Sequence, residues 1–155
     1  MTPRAGEGPL LVSACLAGRR CRYDGTDRAR DEIVDLVAAG RAHPVCPEEL
    51  GGLGTPRVPA GLVGGGGAEV LDGRARVVDR QGRDVTEAFL RGARGALAVA
   101  RDCGATRALL KQHSPSCGVG SAGRAGGGRI PADGVTAALL RREGLEIQGD
   151  EEPGA

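Results

Sequence analysis

Aromatic residues are almost absent from this chain of 155 residues, which has one Tyr, one Phe and no Trp. With only Tyr23 and Phe89, single-stranded nucleic acid has almost no ring surface to stack on. The core must be built from Ala, Val, Leu and a few Ile. An excess of one charge is also lacking. Lys and Arg number 21 against 20 Asp and Glu, for a formal net charge of +1. Nothing in that balance draws the chain to a nucleic acid or to an anionic membrane surface. No run approaches the ~18 apolar residues of a membrane span, and no apolar signal segment opens the chain. The expectation is a cytoplasmic protein whose partner is neither nucleic acid nor membrane.

Several common chemical motifs are missing. No Cys-x-x-Cys occurs, which argues against paired zinc knuckles and thioredoxin-type dithiols. No Gly-x-Ser-x-Gly elbow presents a triad serine. The glycine run 64–67 lacks the Gly-Lys-Ser/Thr of a phosphate loop. Lysine is nearly missing too. The 21 basic residues include a single lysine, Lys111. The arginine excess reads as a codon effect. The retained lysine marks a place where a compact ammonium suits and a planar guanidinium does not.

What remains is a regular alternation. Residues 1–9 are polar, with two prolines and two glycines, and read as a disordered lead-in. Residues 10–14 are a short apolar strand running into Cys15. Residues 27–39 carry a helical stripe, and 42–46 form a second strand ending at Cys46. A long Gly/Pro loop fills 50–67. Residues 68–79 alternate around Asp72-Gly73 as a β-hairpin. Helices follow at 87–103, capped by Thr86, and from 134 or 135 to 142, capped by Asp133. Between them lie a strand at 105–111 and a glycine-rich loop at 119–130. A last strand covers 145–148, and 149–155 reads as a flexible acidic tail. Strands alternating with helices predict one α/β domain over 10–148, with a small parallel sheet, helices on its faces and an inserted hairpin.

Five cysteines in a reducing compartment point to metal binding or catalysis rather than disulfides. Cys15, Cys46 and Cys117 each follow a strand. Carboxyl ends of parallel strands share one edge of the sheet, so these sulfurs converge from distant parts of the sequence. Cys103 ends a helix at the opposite edge and reads as a small buried hydrophobe. Cys21 shares the loop of Cys15, as a structural residue or a spare ligand. Three convergent thiolates suit an iron–sulfur cubane with one open iron. On spacing alone, zinc and plain reactive or buried thiols remain open alternatives, as does a non-catalytic metal or sulfur carrier. Glu48, two residues after Cys46, reads either as a general base on water, which a raised pKa in a partly closed pocket would suit, or as a helix-start or surface carboxylate. The segment from Lys111 to Gly118 crowds Lys111, His113, Ser114, Ser116 and Cys117 behind a strand. Ser114 or Ser116 can hydrogen-bond a substrate or relay a proton. Arg22 and Asp24 sit in the turn after Cys21, and read either as completing the pocket wall or as plain turn residues.

In combination these residues resemble one bacterial family. The resemblance rests on Val12-Ser13-Ala14-Cys15-Leu16, Cys21-Arg22-Tyr23-Asp24-Gly25, Val45-Cys46-Pro47-Glu48 and Thr55-Pro56-Arg57. It continues through Leu110-Lys111, Ser114-Pro115-Ser116-Cys117-Gly118 and Asp133-Gly134-Val135-Thr136. The family is that of the thiouracil desulfurases (2-thiouracil desulfidases), long catalogued as a domain of unknown function. The similarity spans about residues 10–147. It implies a Rossmann-like three-layer domain holding a [4Fe-4S] cluster on Cys15, Cys46 and Cys117. It further implies a small thiolated substrate, Glu48 as the base that activates water, and Ser114 as the assisting hydroxyl. Lys111, Ser116, Tyr23 and Asp24 are then expected to contact the substrate. The chain departs from the family in the loop after Gly118, where members often carry aromatics and residues 119–130 have none.

Overall fold

The computed structural model describes residues 8–154. The expected lead-in therefore lies outside the described residues except for Gly8 and Pro9, as does Ala155 at the other end. The chain runs β1 (Leu10–Ser13), α1 (Asp31–Ala38), β2 (Ala42–Val45), α2 (Pro47–Leu50), β3 (Ala60–Val63), α3 (Gly67–Leu71) and β4 (Arg76–Asp79). It continues through α4 (Thr86–Cys103), β5 (Arg107–Leu110), β6 (Ala122–Gly123), β7 (Arg129–Ile130), α5 (Val135–Arg142) and β8 (Glu146–Gly149).

Four strands form a parallel sheet in the order β2-β1-β5-β8. Every residue of β1 is buried, as a central strand covered on both faces requires. Its side chains alternate between those faces. Leu10 and Val12 pack with Leu109 and with Ile33 of α1. Leu11 packs with Ala108 and Leu110, and with Ala96, Ala100 and Leu140 of α4 and α5. The result is the three-layer α/β arrangement that the alternation predicts. The chain leaves β1 toward β2 and later returns to β5 on the other side of β1. The strand order therefore reverses at the β1/β5 boundary, where open α/β sheets keep their ligand crevice.

The inserted hairpin lies elsewhere than expected. Its strands are β3 and β4, paired antiparallel with Ala60 opposite Asp79, and α3 lies in the connection. The Asp72-Gly73 signal that read as a β-turn ends a helix instead. Asp72 N–H reaches Ala68 O, and Gly73 takes the left-handed conformation at φ 77°. β3 was hidden in the Gly/Pro stretch, and Gly61 explains its composition. A Cβ there would collide with the Arg124 and Ala125 backbone, which docks on β3 through Ala125 N–H to Leu62 O at 3.0 Å. The pair covers a third cluster that includes Leu62, Val77, Phe89 and Val135.

Two further boundaries shift. α1 begins at Asp31 rather than 27, because residues 28–30 stay extended on the 3-10 turn Ala14–Ala17. Arg28 N–H bonds Cys15 O and Arg30 N–H bonds Leu16 O, both at 2.9 Å. The segment beyond β8 is tied down at its start, where Asp150 N–H bonds Leu110 O at 2.9 Å. Among the described residues, no helix is long and apolar enough to cross a membrane.

Candidate metal centre and active site

One cavity of about 490 Å³ opens at the carboxyl edge of the sheet and includes Cys15, Cys46, Cys117, Glu48, Lys111 and Ser114 in its walls. Its size falls within the roughly 300–1,000 Å³ of small-molecule sites. Each functional side chain arrives on its own element. Cys15 lies on the 3-10 turn that ends β1. Cys46 is the N-cap of α2, with Pro47 at its first position. Glu48 follows on the same short helix, which lies directly on α4. A Cβ at Gly51 would strike Ala88 O, and one at Gly92 would strike Pro47 O. Glycine at both positions lets the two backbones touch, and that contact sets where Cys46 and Glu48 sit.

The turn carrying Cys117 is held from two sides. Ser114 Oγ accepts the N–H groups of Ser116 and Cys117, both at 3.1 Å. The first turn of α5 donates to the same segment, with Val135 N–H to Pro115 O at 3.0 Å and Thr136 N–H to Ser116 O at 2.9 Å. Gly134 is the N-cap of that helix, not Asp133 as expected. Asp133 Oδ1 instead accepts Gly120 N–H at 2.9 Å, and Oδ2 takes Arg141 Nε at 2.8 Å. Ser13 Oγ accepts Lys111 N–H at 2.9 Å, joining the ends of β1 and β5.

The thiols oppose one another's ionisation. Burial pushes Cys15 up to about 11, with Arg22 and Lys111 pulling the other way and Cys46 adding to the rise. Burial pushes Cys117 up further, against a hydrogen bond from Ser13, and the neighbouring Cys15 and Cys46 add to it. Cys46 shares a hydrogen bond with Cys21 that draws Cys46 down and Cys21 up. Burial disfavours the free thiolates of Cys15 and Cys117, and a bound metal centre deprotonates such thiols outright. Three soft sulfur donors on one cavity wall, Cys15, Cys46 and Cys117, are of the kind a thiophilic metal group takes.

Glu48 does not stand alone. Arg57 Nε donates to Glu48 Oε2 at 2.7 Å, with both side chains largely buried. Burial works against the Arg57 charge, but Glu48 outweighs it and holds that guanidinium above its ordinary range. Lys111 Nζ lies 3.4 Å from Asp150 Oδ2, and Asp150 Oδ1 accepts Gln112 N–H at 2.6 Å. Glu151 reaches the cavity wall, with Oε1 2.8 Å from His113 Nε2.

The cavity gathers the three cysteines, Glu48, Ser114, Lys111 and Tyr23, but neither Ser116 nor Asp24 lies on its wall. Ser116 is 1% exposed and shares a hydrogen bond of 2.8 Å with Thr136 Oγ1. Asp24 instead accepts from Thr26, whose N–H lies 3.1 Å from Oδ1. Sequence reasoning missed Ser13, Arg57 and Asp150 as parts of the site. A serine closing an otherwise apolar strand was a signal for the first. Arg57 showed only as part of the Thr55-Pro56-Arg57 motif, with no role attached, and Asp150, in an acidic tail, gave no signal.

Comparison with known proteins bears on the family and the fold. The model of the 2-thiouracil desulfurase family matches residues 10–152. Protein YbbK of Bacillus subtilis is 45% identical over 145 residues, covering 92% of this chain and 96% of YbbK. A solved structure described as the [4Fe-4S]-dependent thiouracil desulfidase TudS superposes with a TM-score of 0.80 at 41% identity, over 93% of this chain and 91% of that one. With the family model matching nearly the whole chain and a relative 45% identical along it, the chain belongs to the 2-thiouracil desulfurase family.

Proposed function

We propose that this protein removes sulfur from a small thiocarbonyl compound such as 2-thiouracil without net redox change. The step balances as a thiocarbonyl plus water giving a carbonyl plus hydrogen sulfide. One observation carries the reading. Three cysteines from three strand ends share a cavity wall with a fixed carboxylate. Cys15, Cys46 and Cys117 would hold the [4Fe-4S] group, which, when bound, supplies a thiophilic Lewis acid for the substrate sulfur.

The other roles belong to the chain itself. Glu48 takes a proton from the attacking water, and its pairing through Oε2 with Arg57 leaves Oε1 for that task. Ser114 accepts two N–H groups, so its own proton is available to a substrate atom. Lys111 offers an ammonium at the end of β5, braced by Asp150. Tyr23 is the aromatic ring on the wall and offers a face to a flat ring. The free thiols suit a reducing compartment, and we place the protein in the cytoplasm.

The test is release of sulfide and uracil in equal amounts from 2-thiouracil by anaerobically reconstituted protein. Glu48→Gln is expected to slow it by roughly 10²–10⁴-fold, the usual worth of a general base. Wild-type rates in that variant would remove Glu48 from the role.

A further inference from the structure

Cys21 lies outside the three-cysteine set, yet it is buried and in the cavity wall. The Sγ atoms of Cys21 and Cys46 and a carboxylate oxygen of Glu49 all lie within 4.8 Å of one another. Cys46 Sγ also sits 3.7 Å from Cys21 O, so its side chain is turned toward that loop. Zinc–sulfur bonds of about 2.3 Å in a tetrahedron put neighbouring sulfurs roughly 3.8 Å apart. Small side-chain rotations close the observed triangle to that size. Glu49 is braced for such a role, since its Oε2 accepts Thr55 Oγ1 at 2.6 Å. Arg19, 62% exposed, lies 3.0 Å from Oε1 and is free to swing into solvent when another cation arrives.

From this geometry we propose that Cys21, Cys46 and Glu49 form a second, mononuclear site for one divalent transition-metal ion of the Fe²⁺/Zn²⁺ class, filled in the cluster-free protein. Two thiolates and a carboxylate leave a fourth tetrahedral position for water. Cys46 belongs both to this set and to the set that would hold the cluster, so the two occupancies exclude each other. That last consequence rests on the cluster reading above, whereas the site itself does not. A single ion parked there keeps Cys46 from oxidation and must move, or be removed, before all three cluster thiolates are available.

Metal-stripped, reduced protein titrated with Co²⁺ tests the site through thiolate-to-cobalt absorption and stoichiometry. One Co²⁺ per chain with thiolate absorption is expected in wild type and in a Cys15→Ala/Cys117→Ala double variant. Cys21→Ser and, separately, Glu49→Gln should each weaken binding at least tenfold. Glu49→Gln keeps the test meaningful if Cys21→Ser does not fold. Cobalt retained in Cys21→Ser but lost from the double variant would overturn the proposal and put the ion on the cluster cysteines. Absence of thiolate-bound cobalt in wild type would overturn it as well. Reconstitution of wild type with iron and sulfide, run in parallel, isolates the other reading. Failure there counts against the cluster and leaves the cobalt result standing.

Discussion

Arg57 Nε donates to Glu48 Oε2 at 2.7 Å, with the two side chains 9% and 17% exposed. A carboxylate that must take a proton from water at a fixed place needs its orientation held, and this bond holds it. Replacing Arg57 with Gln is expected to lower kcat for sulfide release by roughly 10–100-fold, the usual cost of losing a supporting partner. KM should move little, and Arg57→Lys should recover part of the loss. Equal kcat in wild type and Arg57→Gln would show that Glu48 needs no such brace.

The Lys111–Asp150 pair makes a second prediction. Asp150 also accepts Gln112 N–H, and its own carbonyl accepts Arg30 Nη1 at 3.3 Å. Asp150→Ala leaves Lys111 and the Gln112 N–H without this acceptor, at a cost of about 1–3 kcal/mol. Thermal unfolding of the variant should begin several degrees lower, at roughly 2–4 °C per kcal/mol for a chain of this size. An unchanged melting temperature would mean that the tail does not brace the site.

The α2–α4 contact gives a steric test. Gly92→Ala drives a methyl group into Pro47 O and should destabilise the protein by about 1–3 kcal/mol while displacing Glu48. Gly95→Ala is the control. Its methyl would sit 3.4 Å from Leu50 Cβ, and alanine suits a helix interior better than glycine by up to about 1 kcal/mol. Chemical denaturation of both variants should separate them, and equal stability would refute the backbone contact.

Much of the site was legible because topology does the work. Cys15, Cys46 and Cys117 follow three strands, and parallel strands put their carboxyl ends on one edge whatever the intervening sequence. β4 was legible as the second arm of the expected hairpin, but β3 and its pairing were not. The paired positions are 13 to 19 residues apart, and β3 contains a glycine whose reason is the backbone packed on it. Arg57 and Asp150 escaped for a related reason. Ion pairs made by loops and tails leave no periodicity, so only the folded arrangement reveals them.

Acid stability should depend on Asp79. Burial alone would raise its carboxyl. N–H bonds from Arg83 and Gln81 and the Arg83 guanidinium outweigh that and hold it below the usual range. A carboxyl depressed in the folded state stabilises above its unfolded pKa of about 3.9, and the benefit is lost as pH falls through the folded value. Urea midpoints between pH 5 and pH 3 should therefore fall less steeply in Asp79→Asn than in wild type. Parallel pH profiles would contradict the assignment.

The central claim is that three-cysteine cluster binding and desulfuration are one property of this cavity. The direct measurement is sulfide release from 2-thiouracil across a series of samples reconstituted to different iron contents. Each sample is also read by its thiolate–iron absorbance near ~400 nm. Activity is expected to be proportional to that absorbance, with both absent in Cys15→Ala, Cys46→Ala and Cys117→Ala. Sulfide released at the same rate by iron-free protein, or by any of those three variants, would contradict it.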